Sequence, residues 1–214
     1  MTAADLLAQG LHALDLTLSA DQQAQLLAYQ ALLQKWNKVY NLTAVRDEAE
    51  MLTHHLLDSL SVIAPLRSAC AQGDSDHPPR LLDVGSGGGL PGVVVAIACP
   101  EIDVTCVDTV AKKAAFIQQV AVQLGLPNLK GVHARVETLS GPFDVICSRA
   151  FASLADFTAW TRQALSPAGV WLAMKGKRPD DEIRALPASV KVFHVEPLSV
   201  PGLNAERCIV WMRG

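Results

Sequence analysis

Apolar positions change their spacing once along this chain. Over the first seventy residues the period is helical. Ser19 and Gln22 form a capping-box pattern, and Leu26, Tyr29, Leu33, Trp36 and Tyr40 then recur three or four positions apart, which predicts a long helix with one buried stripe. A further helix is expected over 47–63, with Asp47 as its cap and Pro65 near its end. The polar segment AQGDSDHPP (71–79) reads as a linker.

Beyond it the pattern alternates between short β-rich runs and helical stretches. RLLDV (80–84), DVTCVD (103–108), LKGVHA (129–134), FDVICS (143–148) and VWLAMKG (170–176) are predicted strands. Helices are expected between them over 90–99, over 110–125 with Gly125 at the end, and over 154–165. KVFHVEPL (191–198) and ERCIVWMR (206–213) read as a closing antiparallel pair. Strands alternating with helices imply an α/β fold, a doubly wound and mostly parallel sheet. The expected organisation is a helical N-terminal extension over 1–72 and an α/β domain over 78–214.

Composition narrows what such a chain does. Half of the 214 residues are apolar and 18% are charged, so a sizeable core is expected rather than a disordered segment. The net charge of −3 provides no global positive field, so any nucleic-acid contact has to be a local basic patch. MTAADLLAQG carries no basic leader, and the apolar run 93–99 is too short to cross a bilayer, so a cytoplasmic protein without membrane contact is expected. Five cysteines without a CxxC pair read as reduced core thiols, and no metal site is expected. Without an obvious dimer helix the expectation leans to a monomer.

The stretch LLDVGSGGGLPGV (81–93) carries the candidate chemistry. A glycine-rich turn from strand to helix brings bare backbone and helix N–H groups against a ligand, at the crevice where doubly wound sheets bind nucleotides. Asp108, at the end of the second predicted strand, is placed to accept hydrogen bonds from ribose hydroxyls, which both NAD and S-adenosylmethionine present. Two registers overlap. Gly87, Gly89 and Gly92 satisfy GxGxxG, the dinucleotide pattern, whereas Asp83, Gly85, Gly87 and Gly89 satisfy acid-x-Gly-x-Gly-x-Gly. The second starts at the strand end and resembles motif I of class I S-adenosylmethionine-dependent methyltransferases. The closing antiparallel pair is similar to that Rossmann-like fold too, and no second domain of dehydrogenase type follows.

Further blocks are more selective. KWNKVYNLTAVRD (35–47), HHLLDSL (54–60), DVGSGGGLPG (83–92), HARVETL (133–139), SRAFASL (148–154) and MKG (174–176) together resemble the RsmG (GidB) family, bacterial methyltransferases acting on N7 of one guanine in 16S ribosomal RNA. The resemblance implies S-adenosyl-L-methionine as cofactor, and 16S rRNA or a precursor of the 30S ribosomal subunit as partner. It implies that Gly85 and Leu90 line the cofactor, with Gly87 and Gly89 allowing close approach. Asp108 is then expected at the ribose, Val136 and Glu137 beside the adenine, and Arg149 at the methionine end or the reaction centre, as a positioning residue. An NAD-dependent oxidoreductase and a non-catalytic RNA-binding or assembly factor are the rival readings.

Guanine N7 offers an in-plane lone pair and no proton to remove, so a general base is not expected, and no Ser/His/Asp or Cys/His constellation is found. SRAF (148–151) is not the NPPY-type sequence of adenine amino-group enzymes. No Pro-Cys motif accompanies Cys147, which is expected to pack in the sheet. Phe151 is expected either to stack on a base or to pack in the core. Local charge for RNA is expected from Lys35, Lys38 and Arg46, and from Lys175, Lys177 and Arg178 after the fifth strand, with Arg207 a further candidate. His54 and His55 lack metal-ligand spacing, and one of them is expected at the interface with the sheet.

Overall fold

A computed structural model of the chain describes residues 2–71 and 77–214. Two helices open it, α1 (Ala3–Ala13) and α2 (Ala20–Tyr40), and each starts with a capping box, Thr2 with Asp5 and Ser19 with Gln22. The stripe on α2 is buried at Leu26, Tyr29 and Leu33, but Tyr40 at its end is 38% exposed. The helix stops there, because Asn41 turns left-handed at φ 49° and closes it with a bond to the Asn37 carbonyl.

The single helix expected over 47–63 is broken into pieces. Asp47 does cap it, its Oδ1 accepting from the Glu50 N–H at 2.9 Å. α3 (Glu48–Met51) then passes into a π-helical turn, Leu52–Leu57, and on into α4 (Asp58–Leu60). Pro65 ends nothing; it lies in the first turn of α5 (Ile63–Ala71), where a missing N–H has no cost. Most of the expected linker, 72–76, lies outside the described residues, and so does the boundary expected there.

β1 (Arg80–Val84), β2 (Asp103–Asp108), β3 (Leu129–His133), β4 (Phe143–Arg149) and β5 (Leu165–Lys175) are parallel neighbours in the order β3-β2-β1-β4-β5. β7 (Arg207–Arg213) runs antiparallel to β5, and β6 (Lys191–Leu198) pairs with it at the edge. The order reverses at β1, which places a crevice at the carboxyl ends of β1 and β4.

α6 (Gly92–Ala98) and α7 (Ala111–Gln123) cover one face, and the N-terminal helices form a second layer over them. One core joins these layers: Leu26, Tyr29 and Leu60 pack in the same cluster as Val93, Phe116 and Val145. Polar seams also tie the layers together. The Gln22 side chain donates to the carbonyls of Ile97 and Ala98, and Arg67 donates to Ala98, satisfying groups that the end of α6 leaves open. α8 (Leu154–Thr161) packs the other face through Phe157 over Trp171, and the short α9 (Asp180–Arg184) follows β5. All five cysteines are free thiols, four of them buried.

Candidate functional site

The loop after β1 is held from below, from the side and from above. Its floor is Asp83, fully buried, whose Oδ2 accepts from the Gly92 N–H at 2.8 Å and fixes the start of α6. The other oxygen of Asp83 has no hydrogen-bond partner, and burial pushes the carboxyl up to about 7. At the side, Asp108 accepts from the Gly87 N–H at 3.0 Å with one oxygen and from Val110 N–H at 2.9 Å with the other. From above, the Tyr29 hydroxyl donates to the Gly88 carbonyl at 2.6 Å.

Each glycine of the loop meets a different neighbour. A side chain on Gly85 would run into the Phe151 ring, one on Gly89 into Val93, and one on Gly92 into Cys106 and Asp83. Gly87 is the exception. At φ +58° it needs the left-handed conformation, and its missing Cβ faces space with nothing closer than a carbonyl 3.9 Å away.

Two cavities flank this loop, and Gly85 lies in the wall of both. The larger, about 780 Å³, brings Asp108, Val136 and Glu137 together with Phe151 and Trp160. Phe151 and Trp160 are 36% and 40% exposed and meet edge to face, ring centroids 5.9 Å apart. The smaller, about 500 Å³, collects Leu90, Arg149, Lys175 and Arg207 with Thr43, His55 and Asp58 from the N-terminal segment. Another cavity of about 760 Å³ lies beside Asp144 and Arg213, at the opposite end of the strands from the glycine loop, and we assign it no part in the chemistry.

In the smaller cavity, Arg149 at the end of β4 donates through Nη1 to Asp58 at 2.8 Å and to the His54 carbonyl at 2.9 Å. Arg207 donates through Nε to the other Asp58 oxygen, also at 2.8 Å. His55 shares a 2.7 Å hydrogen bond with Thr43 Oγ1, and burial together with the Arg149 charge lowers it to about 4, so the ring is neutral at pH 7. Ala150, next to Arg149, has a left-handed φ of 51°. Such backbone in a non-glycine residue is uncommon, and it carries the chain from the β4 end, through Ala150 in the wall of both cavities, to Phe151 in the larger one.

Most of the residues singled out in the sequence therefore converge on one crevice. Asp108, Val136 and Glu137 line the larger cavity, Gly87, Leu90, Arg149 and Lys175 the smaller one, and Gly85 lines both. Gly89 lines neither; it turns the chain into α6. Cys147 is buried in the sheet. Lys175 is an ion-pair partner of Glu182 at 2.9 Å. Lys177 and Arg178 are exposed, and Arg178 is paired with Asp180 at 2.7 Å. Lys35, Lys38 and Arg46 are exposed at the end of α2 and in the loop after it. Tyr29, Asp58 and Trp160 were not anticipated as site residues. For Asp58 a signal existed: an acid set among buried leucines in HHLLDSL requires a cationic partner. Among the described residues no cluster of metal-ligating side chains occurs, and no helix is long and apolar enough to cross a membrane.

The same architecture occurs in solved methyltransferases. The chain superposes on TrmN from Thermus thermophilus with a TM-score of 0.56 at 19% identity, over 76% of this chain and 53% of that one. It superposes on a SAM-dependent methyltransferase from Aquifex aeolicus with a TM-score of 0.56 at 15% identity, over 86% and 97%. Sheet order, glycine loop and acid at the end of β2 define the class I, Rossmann-like fold of S-adenosylmethionine-dependent methyltransferases.

Within that class, residues 22–210 match the model of the GidB family, described as rRNA small subunit methyltransferase G. A protein of Acidovorax sp. (strain JS42) named ribosomal RNA small subunit methyltransferase G is 72% identical over 211 residues, covering 97% of this chain and 93% of the relative. A protein of the same name from Polaromonas naphthalenivorans (strain CJ2) is 65% identical over 204 residues, covering 95% and 92%. The chain belongs to this family and is a methyltransferase. The oxidoreductase reading of GxGxxG is set aside.

Proposed function

We propose that the chain transfers a methyl group from S-adenosylmethionine to N7 of a guanine in 16S ribosomal RNA, acting in the cytoplasm on the RNA or on an assembling 30S subunit. The observation that carries this reading is the pair of cavities that share Gly85 and Ala150, one lined by Asp108, Val136 and Glu137 and one walled by Arg149 and Arg207. When bound, the cofactor supplies the activated methyl on its sulfonium.

The residues present fit that cofactor. Asp108, with two backbone bonds and Lys113 Nζ 3.6 Å from its Oδ2, keeps lone pairs that would accept from the ribose hydroxyls. Val136 and Trp160 give the adenine an apolar wall, with Glu137 beside it. Bare backbone at Gly85 and Gly87 allows the close approach that a side chain would block. Arg149, in the wall of the smaller cavity, would face the methionine end and the acceptor.

The acceptor lone pair needs alignment and a dry wall rather than proton removal. In the smaller cavity the carboxylate among the described lining residues, Asp58, is tied to two guanidiniums. Lys35, Lys38, Arg46 and Lys177 supply the local charge for RNA that the net charge does not, whereas Lys175 and Arg178, also expected there, are already paired with Glu182 and Asp180. Under this reading 78–214 is the transfer domain and 1–72 the extension that braces it.

The test is methylation of 16S rRNA and of 30S particles from cells lacking this activity, with labelled S-adenosylmethionine and mapping of the modified atom. Label at guanine N7 is expected. No incorporation into either substrate, or label on another base atom, would overturn the proposal.

A further inference from the structure

Asp58 is 2% exposed, and its two oxygens each hold one arginine. Arg149 reaches it from the end of β4, 91 residues away, and Arg207 from the start of β7, 149 residues away. Three elements that share no local sequence are thus pinned to one carboxylate. Arg149 is fixed further by the His54 carbonyl, and its Nη2 lies 3.5 Å from Nδ1 of the neutral His55 ring.

A buried ion pair gives little net stability over apolar packing of the same size, so stability alone does not account for this cluster. Charge count and placement point elsewhere. Two guanidiniums against one carboxylate leave a surplus positive charge in the wall of the smaller cavity, while the neighbouring Lys175 is matched by Glu182. No described residue accepts from Nε of Arg149 or from Nη2 of Arg207. Both side chains stay partly open, 20% and 24% exposed.

We infer that Asp58 is a positioning residue for methyl transfer: it sets Arg149 and Arg207 side by side so that their remaining N–H groups receive one anionic oxygen group, a carboxylate or a phosphate. The inference rests on the proposed function, because the carboxylate would belong to the methionine end of the cofactor and the phosphate to the RNA. It assigns the N-terminal segment a direct part in the geometry of the reacting crevice.

Asp58→Asn keeps the side-chain shape and removes the charge. The full chain carrying it is to be assayed for fold by circular dichroism, for S-adenosylhomocysteine affinity by calorimetry, and for kcat and KM with 30S particles. We expect kcat/KM per folded molecule to fall by about 10- to 100-fold, the scale of a misplaced binding group. Weaker S-adenosylhomocysteine binding with an unchanged KM for the particles identifies the carboxylate. A raised KM for the particles with a shallower salt dependence, and unchanged S-adenosylhomocysteine affinity, identifies the phosphate. A folded variant with the parent's kcat/KM overturns the inference. Should Asp58→Asn not fold, Arg207→Lys carries the test: it keeps the charge and loses the fork. Loss of kcat/KM with one of the same two splits is expected there, and parent-like kinetics overturn the inference. A parent chain that transfers no methyl group brings down the proposed function; an active parent with indifferent variants brings down this inference alone.

Discussion

The Tyr29 hydroxyl, completely buried on α2, donates a 2.6 Å hydrogen bond to the carbonyl of Gly88 in the glycine loop. Burial raises the phenol well above its ordinary range, so it stays a donor at any working pH. Tyr29→Phe leaves that carbonyl without its donor, at a cost of about 1–3 kcal/mol. Urea denaturation is expected to show that loss, and calorimetry a weaker affinity for S-adenosylhomocysteine as the loop loosens.

Asp108 serves the loop before it serves any ligand, since it already ties Gly87 to the end of β2. Asp108→Ala removes a charged acceptor and both backbone bonds. Hydrogen bonds to charged groups contribute about 1.5–3 kcal/mol each, so S-adenosylhomocysteine affinity is expected to fall by tenfold or more, as measured by calorimetry. An unchanged affinity would remove Asp108 from the ribose site.

Asp83 predicts a pH dependence. Burial raises its carboxyl from 3.8 to about 7, with the thiols of Cys106 and Cys147 as neighbours. The folded chain therefore keeps a proton that the unfolded chain releases from about pH 4 upward. The stability linked to this group is complete below about pH 4 and is lost as the pH rises to about 7, at up to about 1.4 kcal/mol per pH unit. Asp83→Asn cannot ionise. Denaturation of both proteins across this window should show the parent losing ground to the variant as pH rises; a constant difference would contradict the assignment.

For RNA, Lys35, Lys38 and Arg46 are expected to act through charge alone. Replacing each by Gln should weaken binding to 16S rRNA for all sequences alike, lowering the slope of log affinity against log salt by about 1 per residue. Filter binding over a salt series measures this. S-adenosylhomocysteine affinity should stay at the parent value, since none of the three lines a described cavity around the loop.

What the sequence displayed and what it hid divide along physical lines. β1 and β2 start and stop where the short β-rich runs say, because a strand buried in the sheet leaves an apolar run in the chain. Asp108, Val136 and Arg149 were legible through motif resemblance, and the crevice that gathers them follows from the sheet order. The four-residue helix Glu48–Met51, the π turn after it and α9 carry too few turns to leave a period, and α9 buries nothing. Pro65 marks the start of α5 rather than the end of the helix before it, since proline fits a first helical turn as readily as it stops a helix. The ties from Asp58 to Arg149 and Arg207, and from Tyr29 to Gly88, join residues far apart in the chain, and no local pattern encodes such a pair. The glycines of the loop looked alike in the sequence, yet most answer to packed neighbours and Gly87 to open space.

The π turn at Leu52–Leu57 sits just before Asp58 and leaves the His54 carbonyl within reach of Arg149. Each helical residue advances the chain by about 100° around the axis. Inserting or deleting a single residue in that turn would therefore rotate Asp58 away from both arginines while leaving every amino acid of the cluster present. The number of residues in this stretch is accordingly constrained in its own right, beyond the packing of its buried Leu52, His55, Leu56 and Leu57, because the count alone decides whether Asp58 meets its arginines.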